Sequence, residues 1–144
     1  MILITKEKKH IRVDKTKKTK QWLENVARKE GKKIIALQYV ICTDRYILKV
    51  NKQYLGHNYA TDIITFDLGT TEKNIEGEIY ISFETVRGNA KYFNTTLDNE
   101  LKRVMVHGLL HLCGYNDIKE KEKETMRAKE DLYLSLLKKT ESST

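Results

Sequence analysis

The stretch VHGLLHLCGYND, residues 106–117, decides how this chain is read. His107 and His111 stand four residues apart among Leu101, Val104, Met105, Leu109, Leu110 and Leu112, whose spacing is helical. On an α-helix, positions i and i+4 share a face with Cβ atoms roughly 5–6 Å apart. Two imidazoles at that separation can share one metal ion. Gly114 is placed to end the helix, since a glycine just past the last turn enters the left-handed region without steric cost. The chain can then reverse and return Asp117 toward the same ion. Two nitrogens and one carboxylate oxygen leave a fourth tetrahedral position for water, which is the pattern of catalytic rather than structural zinc sites.

The alternative is a pair of surface or partner-satisfied imidazoles, because histidines four apart also occur by chance. Three features favour the metal. The histidines lie in an otherwise apolar helix, where a buried ring needs a polar partner. A helix-stopping glycine follows at once, and a ligand-capable aspartate comes three residues later. His107 is followed by Gly108, so the general-base glutamate of the His-Glu-x-x-His peptidase motif is missing and that chemistry is not expected. Cys113 lies two residues from His111, and i and i+2 face apart on a helix, so it is not read as a ligand.

The run HGLLHLCGYND resembles the HGxLHLxGYDH signature of the YbeY-type endoribonuclease family. A second block, YLGHNYATDIITF at residues 54–66, resembles that family's YRGKDxPTNVLSF segment. A third, GEIYIS at 77–82, resembles its GDIxI segment. The blocks stand in family order and the length fits. The resemblance implies one α+β domain over residues 1–144, a zinc-dependent hydrolytic site and cleavage of single-stranded RNA in ribosomal RNA maturation. A ribosomal subunit or assembly factors are then the expected partners.

Two departures bear on the chemistry. The family's third ligand histidine aligns with Asp117. Aspartate is an accepted zinc ligand, but a harder one, so manganese becomes more competitive. The family's arginine aligns with Leu55, which cannot bind phosphate as a planar guanidinium does. His57, Arg87 and Arg103 are the candidate replacements. Ala60 stands where the family has proline. Glu78 occupies the family's aspartate position and can equally be read as a partner behind a ligand histidine.

With 144 residues, 40% hydrophobic and 33% charged, the chain suits one soluble domain with a core of useful size. It has no proline and seven glycines, so no low-complexity linker divides it. Cys42 and Cys113 have apolar neighbours and read as reduced thiols of a cytosolic protein. No secretion signal is recognised at the N-terminus. The longest apolar run, residues 34–42, falls far short of the ~20 residues that span a bilayer. Cytoplasmic location without membrane attachment is expected. Charge is uneven: residues 1–33 hold 12 Lys and Arg against 4 Asp and Glu, net +8, while the rest hold 15 against 16. A basic third suits a phosphate-binding face, although a solvated lysine-rich helix has the same composition.

Around the histidine helix the chain alternates. Residues 1–5 and 34–43 read as strands, separated by a helix that Thr16 or Thr19 can cap, with Trp22, Leu23, Val26 and Ala27 inward. Asp44 can cap a second helix carrying Ile47, Leu48, Val50 and Tyr54. Residues 61–67 and 78–83 form an expected hairpin, and the intervening helix makes 1–5 and 34–43 parallel. Residues 85–93 form a helix with Val86, Ala90 and Phe93 on its inner side, and Thr96 can cap the histidine helix. The last helix uses Met126, Leu132, Leu134, Leu136 and Leu137, and residues 138–144 are expected to fray. The expected fold is α+β, a mixed sheet of about four strands packed with four to five helices.

The expected activity is a zinc-dependent endoribonuclease in which His107, His111 and Asp117 hold the ion and a metal-bound water attacks the phosphodiester. No residue presents itself as the proton donor. Two other readings remain: a non-catalytic ribosome-assembly or RNA-binding factor with a mainly structural metal, which Leu55 favours, and a metallohydrolase of another substrate class.

Overall fold

The computed structural model describes residues 1–142, with side chains through Lys139. The elements run β1 (Ile2–Lys6), α1 (Thr16–Lys29), β2 (Lys33–Cys42), α2 (Asp44–Leu55), β3 (Ile63–Asp67), β4 (Asn74–Ser82), α3 (Phe83–Tyr92), α4 (Leu97–Leu112) and α5 (Glu120–Ser142). The four strands form one sheet in the order β1-β2-β4-β3. β1, β2 and β4 are mutually parallel, and β3 pairs antiparallel with β4. This is the mixed α+β sheet expected. No helix among the described residues is long and apolar enough to cross a membrane.

Strand alternation sends side chains to two faces. Leu37, Tyr39 and Ile41 of β2, with Ile75, Ile79 and Ile81 of β4, join the main core with α1, α4 and α5. Val40, Cys42, Ile64, Phe66 and Tyr80 point the other way and pack under Ile47 and Val50 of α2. The histidine helix therefore lies on the larger core, and α2 closes the opposite face.

Gly108 and Gly77 set how close α4 comes to the sheet. A Cβ on Gly108 would lie 2.9 Å from Ile79 Cδ1 and 3.0 Å from Ile63 Cδ1. One on Gly77 would meet the Phe66 carbonyl at 2.8 Å and Leu112 Cδ1 at 2.9 Å. Gly108 thus seats α4 against β3 and β4 right beside His107, at the position where the peptidase motif carries glutamate.

Several local expectations are corrected. Neither Thr16 nor Thr19 caps α1. Its cap is Lys15, in the left-handed region at φ 54°, and the Thr19 hydroxyl donates to the Lys15 carbonyl. Thr43, not Asp44, caps α2 by accepting from the Tyr46 N–H. Ser82 caps α3, which begins at Phe83, and β4 starts earlier than expected, at Asn74. Tyr54, Phe93 and Leu132 are exposed rather than buried. On α5 the inward stripe is Met126, Glu130, Tyr133, Leu134 and Leu137, so the 3.6-residue repeat skips Leu132. α5 runs to Ser142, and positions 143–144 of the tail expected to fray lie outside the described residues.

Candidate metal centre

α4 is capped by Thr96, whose hydroxyl accepts from the Asn99 N–H at 3.0 Å, and Asp98 and Glu100 in its first turn complement the helix dipole. At its other end Gly114 takes φ +107°, and the N–H groups of Gly114 and Tyr115 return to the carbonyls of His111 and Leu110. This reversal brings Asp117 back over the two histidines. His107 Nε2 lies 3.0 Å from His111 Nε2, and Asp117 Oδ2 lies 3.2 Å from the first and 3.5 Å from the second.

The hydrogen bonds behind the rings make this convergence chemically specific. His111 Nδ1 lies 2.9 Å from the Tyr115 carbonyl oxygen, which can only accept. Nδ1 of His111 therefore carries a proton, and its Nε2 presents a lone pair. His107 Nδ1 lies 2.7 Å from Oε2 of Glu130, which assigns the same tautomer. Two bare nitrogens and a carboxylate oxygen then face one another with no donor among them. Only a cation, or an added proton on one ring, reconciles the three. Tetrahedral zinc with bonds of about 2.0–2.1 Å needs ligand atoms roughly 3.3 Å apart. The observed separations of 3.0, 3.2 and 3.5 Å bracket that value. His107, His111 and Asp117 could hold a metal ion.

Burial opposes protonation of His107, but the hydrogen bond and charge of Glu130, with the charge of Asp117, outweigh it and raise the imidazole above its ordinary value. A proton and a metal therefore compete for the same nitrogen. Burial pushes the Cys113 thiol up to about 12, so it stays protonated at neutral pH and stands outside the donor group.

The centre opens into a cleft of about 590 Å³ lined by Asp62, Ile63, Thr65, Asp67 and Leu112 besides the three donors. β3 thus furnishes one wall. Sequence reasoning missed this wall, and it missed Glu130. Glu130 is buried and also accepts from Arg103 Nη1 at 2.9 Å, while Arg103 Nη2 reaches Asp131 at 2.7 Å. Its signal was a carboxylate on the apolar stripe of α5.

The candidate replacements for the family arginine do not line the cleft. Arg103 is engaged by Glu130 and Asp131. Arg87 lies over the Phe83 ring, 5.1 Å from its centroid. His57 stacks on Tyr59 with ring centroids 5.2 Å apart. Glu78 is not a partner of either histidine: it shares the parity of Tyr80, whereas Gly77 and Ile79 face α4.

Fold and site together define an α+β protein in which two histidines and an aspartate, able to hold a metal ion, converge on one helix and the turn that ends it. A profile of the family described as Endoribonuclease YbeY matches residues 2–138. Endoribonuclease YbeY of Cytophaga hutchinsonii is 46% identical over 137 residues, covering 95% of this chain and 96% of its own. The Bacteroides thetaiotaomicron protein of the same name is 44% identical over 122 residues, covering 85% of this chain and 88% of its own. The solution structure of TM1509 from Thermotoga maritima superposes with a TM-score of 0.72 at 31% identity, over 99% of this chain and 93% of that one. The chain belongs to the Endoribonuclease YbeY family.

Proposed function

We propose that this protein is a metal-dependent endoribonuclease that cuts single-stranded RNA in ribosomal RNA maturation, with zinc as its ion and His107, His111 and Asp117 as the ligands. The observation that carries this reading is the convergence of those three side chains at a cleft wall, in a chain of this family. Family membership supports ribosomal RNA as the substrate, and hence a ribosomal particle or assembly factor as the setting. The net charge of +7 suits a polyanion.

His107, His111 and Asp117 would hold the ion, which would supply Lewis acidity for phosphodiester hydrolysis near neutral pH. The protein's share is preorganisation. Glu130 and the Tyr115 carbonyl hold the Nδ1 protons, so both Nε2 lone pairs aim into the cleft. Asp117 supplies one negative charge to offset the ion. Asp62 and Asp67 make the wall acidic, which turns away phosphate wherever no cation neutralises the field. Beyond the three donors, Asp62, Thr65 and Asp67 are the cleft-lining side chains able to exchange a proton with the leaving oxygen.

The test is cleavage of a single-stranded RNA and of its duplex, before and after chelation. Loss of single-strand cleavage on chelation, with recovery on adding zinc, supports the reading. Cleavage that survives chelation overturns it. A zinc-loaded protein that binds RNA without cutting it points to the assembly-factor role, which exposed Leu55 in place of arginine favours.

A further inference from the structure

Outside the metal centre, a polar cluster surrounds Glu30, the residue that caps the C-terminus of α1. Its backbone N–H returns to Val26 and Ala27, so its position is tied to the helix. The carboxylate is nearly buried, with its side chain 9% exposed. Oε1 accepts from the Tyr115 hydroxyl at 2.6 Å. Oε2 accepts from Lys129 Nζ at 3.1 Å and from the Tyr133 hydroxyl. One carboxylate therefore takes three donors from two distant parts of the chain.

Tyr115 is also the residue whose carbonyl takes the Nδ1 proton of His111, and Asp117 follows two residues later. Its N–H is tied to Leu110 and its hydroxyl to Glu30. The turn that carries a ligand and orients another is thus held at its backbone by α4 and at its ring by α1. Lys129 lies over the Tyr115 ring, 5.7 Å from the centroid, and its neighbour Glu130 holds His107. Successive residues of α5 thus reach Glu30 and His107.

We propose that Glu30 is a positioning residue for the metal centre: through the Tyr115 hydroxyl it sets the turn that orients His111 and delivers Asp117. This rests on the reading of His107, His111 and Asp117 as metal ligands. The competing role is a clamp that merely joins α1 to α5. The two roles part at the tyrosines, since both donate to Glu30 but only Tyr115 belongs to the turn.

The experiment compares Tyr115→Phe, Tyr133→Phe and Glu30→Gln in the full chain. Zinc affinity is measured by competition with a chelator, and melting temperature is measured on the metal-free protein. Outer partners of metal ligands typically control affinity by 10–100-fold, so Tyr115→Phe is expected to weaken zinc binding about tenfold. Tyr133→Phe should lower the melting temperature and leave zinc affinity within about twofold, which is the case of no coupling. Glu30→Gln should weaken zinc, and should add little further loss on the Tyr115→Phe background, because the two act through one contact. Unchanged zinc affinity in Tyr115→Phe, or an equal loss in Tyr133→Phe, overturns the proposal while the nuclease reading stands. A wild-type protein that binds no zinc overturns both. A wild-type protein that binds zinc but cuts no RNA overturns only the nuclease reading, and the affinity comparison still decides the role of Glu30.

Discussion

Glu130 Oε2 lies 2.7 Å from His107 Nδ1, although 23 residues separate them and they sit on different helices. This contact, with Arg103 on the other carboxylate oxygen, fixes the orientation of one proposed ligand from outside its own helix. Glu130→Ala should therefore weaken zinc binding by about 10–100-fold. It should also cost about 1–3 kcal/mol of stability by leaving partners unsatisfied. Glu130→Gln keeps an acceptor and should lose less. Chelator competition and urea unfolding measure the two effects, and an alanine variant with unaltered zinc affinity would show the contact to be incidental.

His111→Ala should abolish tight zinc binding. A ligand that binds only the folded state stabilises it by about 2.7 kcal/mol at a hundredfold excess over Kd. Added zinc should raise the melting temperature of the wild type and leave that of the variant unmoved. Asp117→His should keep the ion, because imidazole is an equally good zinc ligand. Elemental analysis of the purified variants decides both points. Loss of zinc from Asp117→His would mean that the turn is shaped for the shorter side chain.

Gly108→Val places branched carbons where a Cβ already comes within 2.9 Å of Ile79 and 3.0 Å of Ile63. Overpacking of this kind costs about 1–3 kcal/mol. Relief requires α4 to move off the sheet, and His107 moves with it. Denaturant unfolding should show the destabilisation, and zinc affinity should fall in the same variant. A variant as stable as the wild type would mean that the helix seats with room to spare.

Burial alone would raise the Glu30 carboxyl, but hydrogen bonds from Tyr115, Tyr133 and Lys129 outweigh it and hold the group below its ordinary value. A depressed carboxylate stabilises the fold fully above its unfolded-state pKa, and that contribution disappears as pH falls through the folded-state value. Burial and the bond to Glu30 raise Tyr115, so its share is present below the ordinary tyrosine value and is lost on the alkaline side. Metal-free wild type should therefore lose stability in acid below about pH 4.5 more steeply than Glu30→Gln. Equal slopes for the two proteins would remove Glu30 as the source.

Leu55→Arg restores a guanidinium at the exposed end of α2, where the family carries one. It should tighten binding of single-stranded RNA and steepen its salt dependence, by about 0.7 in the logarithmic slope for each phosphate engaged. Faster cleavage should accompany the tighter binding. Titrations at two salt concentrations check the slope, and an unchanged slope would place residue 55 away from the RNA path.

Much of the centre was legible before any fold was known, because its parts lie within eleven residues of one another. Four-residue spacing stacks His107 on His111, and Gly114 supplies the positive φ that turns Asp117 back. The parallel pairing of β1 with β2 and the β3–β4 hairpin also follow from short-range connection rules. Caps were less legible. At the start of α2, Thr43 and Asp44 are adjacent residues able to serve, and only backbone geometry separates them.

What the sequence alone determined is this local arrangement: which helix carries the two histidines, where it stops, and which peptidase motif it lacks. Helical repeat and glycine conformation act over a few bonds, so neighbouring residues suffice to specify them. Only the tertiary structure decided what stands behind and beside the donors. Glu130 sits against His107, Glu30 reaches Tyr115 across 85 residues, Arg103 is spent on α5, and Glu78 faces away from the helix. Such pairings depend on how amphipathic faces pack. A carboxylate on an apolar stripe announces that it needs a partner, but its identity is set only when two distant elements are pressed together around one core.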